Sequence, residues 1–291
     1  MALTVEEAIA RVPQWAGAAD IQISPLRGGI TNQNYRVDTG GESFVLRITG
    51  EKTDLLGIER ENEYIANRAA GLLGIAPEVI YFIRPEGYLV TRFIQGRPIP
   101  PEEIGQKEMM RKVVSTLRKV HSMEPIPSHF SVFRMVENYT NFAHQHQIPL
   151  PEDFHWYQQR AQQAKAALKA GSSIIVPCHN DLLNENFLFD GEVRLLDWEY
   201  AGMGDPFFDL ANFSSHHQFT EDQDLYMLEC YFEEVTQAHW THLKIMKMMS
   251  DFREAMWAIV QIGISQLDFD YQGYADTFFR RTAEKLETLR F

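Results

Sequence analysis

The sequence has little cysteine and few basic residues for its length. Its two cysteines, Cys178 and Cys230, are far apart and lack any metal-ligand spacing, which excludes a disulfide framework and a zinc site. Lys and Arg number 27 against 40 Asp and Glu, so the formal net charge is -13. Because binding to a phosphate backbone requires a basic face, we expect no nucleic acid partner.

Long apolar runs are also missing. No window of the sequence approaches the length that a membrane span requires. The N-terminal segment MALTVEEAIARVPQW has acidic residues where a signal peptide carries basic ones. We therefore expect a cytoplasmic protein with no membrane partner. No internal repeat or low-complexity segment is present, and 45% hydrophobic with 23% charged residues indicates an ordinary globular chain.

The residues that are present change in character near position 96. Before it, the short runs IQISPLRG, NQNYRVDTG and SFVLRIT are rich in Val, Ile, Tyr and Phe, and the Gly40-Gly41 pair between two of them is typical of a hairpin. After it, apolar residues recur mostly at helical spacing. We predict an α+β fold with two lobes, a strand-rich N-terminal lobe at 1–95 and a larger, mainly helical lobe at 96–291.

One strand-like segment within the helical half, IIVPCHNDLLNENFLFDGEVRLLDWEY, carries an unusual polar pattern. His179 and Asp181 form an H-x-D motif, Asn186 follows five positions after the Asp, and Asp197 begins a D-W-E motif. Apolar residues on both sides of the loop would fix it against a core. A strand–loop–strand–turn–strand unit would place Asp181, Asn186 and Asp197 around one point.

Phosphoryl transfer uses this set of side chains. A carboxylate orients the acceptor hydroxyl and takes its proton, while an Asn and a second carboxylate hold Mg²⁺. Asp181, Asn186 and Asp197 supply those groups. Any one of them alone would more often cap a turn, but the three at this spacing favour a kinase.

The segments HNDLLNENFL, LLDWEYAG and DPFFDLANF resemble the catalytic core of the choline/ethanolamine kinase family, to which the aminoglycoside phosphotransferases are more distant relatives. The resemblance covers most of the chain. It implies a bilobal protein-kinase-like fold and an enzyme that transfers the γ-phosphate of ATP to the hydroxyl of choline or ethanolamine with Mg²⁺. Asp181 is then the base, Asn186 and Asp197 are the metal ligands, and Glu199 is an acid near the second metal.

The resemblance also implies a nucleotide-binding set in the N-terminal lobe. Arg47 takes the place of the phosphate-binding Lys of protein kinases, with Glu63 as its partner, although Glu59 and Glu61 leave the register open. The set comprises Gly28, Gly29, Thr31, Asn32, Asn34, Arg47, Glu63, Thr91, Arg92 and Ile94.

On the acceptor side the resemblance implies a pocket of aromatic and acidic groups. Its members are Asp181, Glu199, Tyr200, His216, Glu254, Trp257, Tyr271 and Tyr274. Glu254 stands where eukaryotic choline kinases carry a second Trp, and His216 stands where the family has a pocket Glu. These departures leave ethanolamine or a related amino alcohol open as the acceptor in place of choline.

Two alternatives remain at this point. The first is a kinase of another small acceptor, such as an aminoglycoside, thiamine, methylthioribose or a homoserine-like compound. The second is a catalytically silent nucleotide-binding module, which the presence of Asp181, Asn186 and Asp197 disfavours. The sequence leaves the regulation and the oligomeric state open, a homodimer included.

Overall fold

A computed structural model of the protein describes residues 3–26, 32–50, 53–169, 174–265 and 267–290. The elements of the first hundred residues are α1 (Val5–Ala10), β1 (Gln22–Leu26), β2 (Gln33–Thr39), β3 (Glu42–Ile48), α2 (Arg60–Leu72), β4 (Val79–Ile83), β5 (Tyr88–Arg92) and β6 (Arg97–Pro98). Those that follow are α3 (Pro101–Ile104), α4 (Lys107–His121), α5 (Val132–Gln145), α6 (Phe154–Lys169), β7 (Val176–Cys178), β8 (Phe187–Phe189), β9 (Val193–Leu195), β10 (Gly202–Gly204), α7 (Pro206–His216), α8 (Glu221–Tyr231), α9 (Gln237–Ile264) and α10 (Tyr271–Thr288).

Five strands form an antiparallel sheet in the order β1-β2-β3-β5-β4. Gly40 and Gly41 connect β2 to β3 with φ angles of 60° and 77°, the left-handed backbone that a tight hairpin requires and that glycine adopts without strain. Alternate β3 residues Phe44, Leu46 and Ile48 are buried in the core of this sheet. The predicted hairpin at the Gly-Gly pair is therefore present.

By its internal contacts the chain divides into two units. The first unit comprises Met1–Ile99 and Glu185–Tyr200, and the second comprises Pro100–Asn184 and Ala201–Phe291. This division differs from the expected boundary at 95/96, because the segment after the catalytic-loop motif is bound by N-terminal residues. Strand β6 pairs with β8, and the Leu195 N–H donates to the Ile75 carbonyl at 2.8 Å. Such long-range pairing leaves no trace in local sequence periodicity.

The second unit is built around α9, a helix of 28 residues. It packs against α5, α7 and α10, and it is buried on nearly all sides from Met248 to Gln261. A helix with this burial is a core element rather than a surface one. Among the residues that the structure describes, no helix is long and apolar enough to cross a membrane.

The architecture confirms the predicted α+β class. The first unit carries an antiparallel sheet, and the second is mainly helical with the short β7–β10 ribbon. Helix α7 begins directly after that ribbon at Asp205, whose side chain accepts the Phe207 N–H at 2.9 Å and caps the helix. This cap fixes where α7 starts, and α7 in turn supports the loop with Asp181 that follows β7.

Candidate active site

Helix α7 holds the loop that contains Asp181 by bonds to its backbone. The Asp209 carboxylate accepts the N–H groups of His179 at 2.9 Å and Asn180 at 2.7 Å. One turn later on α7, the side-chain oxygen of Asn212 accepts the Leu182 N–H at 2.6 Å. Donors on both sides of Asp181 are thus bound to one rigid helix, which fixes the position of its backbone.

Asp209 is itself wholly buried and needs compensation for its charge. Burial raises its pKa, but the hydrogen bond from His121, with Nε2 at 3.0 Å from Oδ2, outweighs this and leaves the pKa of Asp209 below its usual value. His121 is in turn bonded through Nδ1 to the Tyr231 hydroxyl at 2.7 Å. Asp209 therefore stays ionised as the acceptor for the loop.

Cys178 lies beside this group, with its Sγ within 4.8 Å of ligand atoms of His121 and Asp209. Burial raises the pKa of the Cys178 thiol well above its usual value, and the nearby charge of Asp209 adds to the effect. A thiol kept protonated in this way is a poor nucleophile. Cys178 is thus a small, fully buried side chain of the core.

The Asp181 side chain contacts an arginine that the sequence motifs did not indicate. Arg253 Nη1 donates to Asp181 Oδ1 at 3.3 Å, and the Arg253 guanidinium also forms an ion pair with Glu254. Arg253 lies on α9 and is 2% exposed. Its spacing within an otherwise apolar helix face was the available signal, because a charge at such a position requires a buried partner.

Glu254 is enclosed by groups from three helices. Tyr274 donates to its Oε2 at 3.2 Å, and His216 Nε2 lies 3.6 Å from its Oε1. Burial alone would raise the pKa of Glu254, but Arg253 and His216 together lower it to about 2. The predicted acceptor residues His216, Glu254 and Tyr274 therefore lie together, and Glu254 is ionised.

Three predicted aromatic residues also lie together in the second unit. The Trp257 ring centroid on α9 is 6.0 Å from that of Tyr271 and 5.9 Å from that of Tyr274, both on α10, in edge-to-face arrangements. The Tyr271 hydroxyl bonds to Ser265 Oγ at 2.9 Å. Tyr200, by contrast, is buried in the first unit, at the end of its second segment.

The predicted metal ligands belong to the first unit. Asn186 ends a short 3₁₀ turn, and its carbonyl accepts the Leu196 N–H at 2.9 Å, which brings Asn186 beside the residue before Asp197. Asp197 has a φ of 59°, a left-handed conformation that is costly for a residue with a Cβ and is often found at functional sites. Asn186, Asp197 and Glu199 thus bring three side chains with oxygen atoms into one segment.

Two arginines neutralise the carboxylates of this segment. Arg47 forms an ion pair with Glu63 and donates to Asp197 Oδ1 at 2.6 Å. Glu63, rather than Glu59 or Glu61, is therefore the partner of Arg47. Arg60 was not among the predicted site residues. Its Nη1 lies 2.7 Å from Glu63 Oε2 and 3.1 Å from Glu199 Oε2. Its position three residues before Glu63 on α2 was the signal that could have found it.

The negative charge of Glu199 remains poorly compensated, although Arg60 lies near it and the side-chain amide of Asn32 donates a hydrogen bond to its Oε2 at 3.1 Å. Burial, followed by the negative charge of Asp197, raises the pKa of Glu199 to about 7. A divalent cation at this point would relieve the repulsion between the two carboxylates. The all-oxygen donor set of Asn186, Asp197 and Glu199 fits Mg²⁺ rather than a softer metal.

The other predicted nucleotide residues have different surroundings. Gly28, Gly29 and Thr31 lie outside the described residues. Asn34 on β2 lies opposite Arg47 on β3, and Thr91 is buried on β5.

Part of the Thr91–Ile94 segment is hydrogen-bonded to neighbouring residues of the sheet. The Arg92 side chain pairs with Glu42 at 2.7 Å and Glu78 at 2.9 Å, and its N–H donates to the Glu78 carbonyl at 2.8 Å. The Ile94 carbonyl accepts the Gly96 N–H at 3.0 Å. The Arg92 side chain and its N–H are thus both hydrogen-bonded to neighbouring residues of the sheet.

Comparison with known proteins adds independent evidence. Residues 23–237, well over half of the chain, match the family model described as choline/ethanolamine kinase. The chain is 29% identical to the protein LicA of Haemophilus influenzae over 75% of its own length and 65% of that protein, so it spans a little under two thirds of this relative. It is 28% identical to human ethanolamine kinase 2 over 90% of its length and 75% of that protein.

Solved structures with a similar fold include members of the same family. A choline/ethanolamine kinase family protein from Mesorhizobium loti superposes with a TM-score of 0.83 at 31% identity, covering 96% of this chain and 92% of the other. An aminoglycoside phosphotransferase, APH(2")-IIIa in complex with GDP and kanamycin, superposes at 0.69 with 13% identity, covering 97% and 98%, and shares the fold alone. This likeness confirms the protein-kinase-like architecture, and the matched residues together with the Mesorhizobium loti relative show that the chain belongs to the choline/ethanolamine kinase family.

Proposed function

We propose that the protein is a kinase that transfers the γ-phosphate of ATP to the hydroxyl of choline or ethanolamine, with choline as the preferred acceptor. The observation that carries the proposal is the loop held by α7, in which Asp209 and Asn212 bind the backbone on both sides of Asp181. Phosphoryl transfer depends on positioning more than on covalent chemistry, and this clamp supplies it.

Asp181 is the general base in this proposal. It accepts the proton of the acceptor hydroxyl as the oxygen attacks phosphorus, and it orients the hydroxyl beforehand. In this proposal Arg47 on β3, which pairs with Glu63 and Asp197, neutralises phosphate charge. Two of the proposed nucleotide-binding residues, Asn32 and Asn34, follow Gly28, Gly29 and Thr31 in the sequence. Asn32 donates a hydrogen bond to Glu199, and Asn34 lies on β2.

Asn186, Asp197 and Glu199 would hold Mg²⁺ through their side-chain oxygens. When bound, the ion would neutralise negative charge that develops on the transferred phosphoryl group. The raised pKa of Glu199 supports this assignment, since it reflects a buried carboxylate that also lies beside the negative charge of Asp197. The proposal includes a cytoplasmic location, where ATP is available, and it is compatible with a homodimer.

The proposed preference for choline follows from the ion pair and the hydrogen bond that Glu254 already makes. Its Oε1 pairs with Arg253 and its Oε2 accepts from Tyr274, so the carboxylate is engaged on both oxygens. A primary ammonium group needs hydrogen-bond acceptors, whereas a quaternary ammonium has no N–H and is recognised by aromatic faces. Trp257, Tyr271 and Tyr274 provide aromatic side chains, which favours the quaternary acceptor.

The test is ADP release by the purified protein with Mg·ATP and one of four acceptors, choline, ethanolamine, thiamine or kanamycin. We expect the highest kcat/KM with choline and a value for ethanolamine about tenfold lower, since one cation–π contact is worth about 1–2 kcal/mol. An ethanolamine preference would contradict the argument from Glu254 alone. Turnover with thiamine or kanamycin only, or with none of the four, would contradict the proposed function.

A further inference from the structure

A buried arginine in the second unit has no catalytic role in the proposal above. Arg253 is almost completely enclosed, although an arginine is rarely buried without carboxylates to compensate it. Its ionic partners among the described residues include the proposed base Asp181, at 3.3 Å, and its own neighbour Glu254. The guanidinium therefore joins the residue that performs the chemistry to a residue of the acceptor pocket.

This connection continues beyond Glu254. Tyr274 donates to Glu254 Oε2 at 3.2 Å, and the ring of Tyr274 lies 5.9 Å from that of Trp257. His216 of α7 approaches the other side of Glu254 at 3.6 Å. His216 of α7 and Tyr274 of α10 thus hold Glu254, and Glu254 in turn holds Arg253.

We infer that Arg253 is a positioning residue for phosphoryl transfer, and this inference rests on the proposed function. Its Nη1 restrains the rotation of the Asp181 carboxylate, so that the carboxylate keeps the orientation in which it accepts the proton of the acceptor hydroxyl. A planar guanidinium defines the direction of its hydrogen bonds, which the rotating ammonium of lysine does not. Backbone clamping by α7 places Asp181, and Arg253 then aims its side chain.

The experiment compares Arg253→Met and Arg253→Lys with the wild type, measuring kcat and the KM values for ATP and choline separately. We expect Arg253→Met to lower kcat by about 30- to 100-fold, because a base misplaced by about 1 Å can cost 10²-fold. The KM for ATP should stay within about twofold of the wild-type value. Arg253→Lys, which keeps the charge but not the fork, should recover part of the lost kcat.

Arg281→Met is the matched control. Arg281 is also a partly buried arginine paired with a carboxylate of α9, Asp251, at 2.9 Å, and it donates to the Ser215 carbonyl at 2.6 Å. Its loss should weaken the fold while leaving kcat within about twofold of the wild type. An Arg253→Met variant within about threefold of wild-type kcat, or one that lowers kcat no more than Arg281→Met, would overturn the inference.

Failure of the proposed function would be seen separately, as absence of turnover by the wild type. In that case a double-mutant cycle of Arg253→Met and Asp181→Asn in urea unfolding decides whether Arg253 holds Asp181. We expect the effect of Arg253→Met on the unfolding equilibrium constant to be at least about fivefold smaller in the Asp181→Asn background. Additive effects would show that the two side chains are not coupled and would contradict the inference.

Discussion

Asp181 is the residue on which the proposed chemistry depends most. We expect Asp181→Asn to lower kcat by roughly 10²–10⁴-fold, the usual contribution of a positioned general base, with ATP affinity largely kept. The measurement is steady-state kinetics together with equilibrium binding of ATP. The amide keeps the size of the side chain, so loss of the fold does not complicate the comparison.

Asp190→Asn is the control for that variant. Asp190 lies in the exposed turn between β8 and β9, where it pairs with Arg194 at 3.0 Å. Its loss should leave kcat within about twofold of the wild type. An Asp181→Asn variant that retains a third or more of wild-type kcat would remove Asp181 from the mechanism.

Substitution of Trp257 tests the proposed acceptor pocket. Trp257→Ala should raise the KM for choline by about tenfold or more, through loss of an aromatic face worth about 1–2 kcal/mol, and should leave the KM for ATP nearly unchanged. Trp156→Ala, which removes an exposed Trp of α6, should change neither. Equal increases in both KM values for Trp257→Ala would indicate a core residue instead.

Packing of the elements against one another creates contacts that the sequence does not reveal. The local spacing of the H-x-D and D-W-E motifs located the loop around Asp181, and the family resemblance pointed to the aromatic residues of α9 and α10. They could not reveal Arg253 as a partner of Asp181, since the two are 72 positions apart and meet only through packing. The same holds for Arg60 and Glu199, and for the pairing of β6 with β8. Local pattern thus predicts elements and motifs, whereas tertiary packing selects their partners.

The C-terminal end of α7 should make stability depend on pH. Burial lowers the pKa of His217 from 6.5 to about 4, although Nδ1 donates to the Phe213 carbonyl at 2.7 Å. The unfolded state therefore binds the proton more readily, and the free energy of unfolding should fall as the pH drops from about 6.5 to 4, by roughly 2–3 kcal/mol from this group. Above pH 6.5 the imidazole is neutral in both states, and this contribution no longer varies.

Urea unfolding of the wild type and His217→Gln at pH 7 and pH 4.5 measures this contribution. The variant should show a smaller loss of stability between the two pH values than the wild type. His155→Gln, which changes an exposed His of α6, should resemble the wild type. If His217→Gln shows the full wild-type loss, other groups are responsible for the acid sensitivity.

At the scale of the whole molecule, ligand binding should be visible as stabilisation. A ligand that binds only the folded state at about 100 times its Kd adds about 2.7 kcal/mol, which corresponds to a rise of roughly 5 °C in Tm for a chain of this size. We expect Mg·ATP to give this rise and EDTA to reduce it. Asp197→Asn should lose most of the Mg²⁺-dependent part, because it removes a proposed ligand of the ion.

Glu192→Gln, in the exposed β8–β9 turn, is the control and should keep the full Mg²⁺-dependent rise. Differential scanning fluorimetry with ATP alone, with Mg·ATP and with EDTA separates the two contributions to Tm. An Asp197→Asn variant with an unchanged Mg²⁺-dependent rise would exclude this residue as a ligand.

The segment Glu185–Tyr200 belongs to the first unit although its neighbours on both sides belong to the second. The polypeptide therefore passes from one unit to the other three times, near residues 100, 185 and 200. A protein engineer who exchanged residues 1–99 for those of a relative would leave Asn186, Asp197 and Glu199 behind, along with the strands that pair with the transplanted part. A functional chimera would need two segments from the same donor, and single-crossover recombination between relatives would tend to separate residues that work as a set.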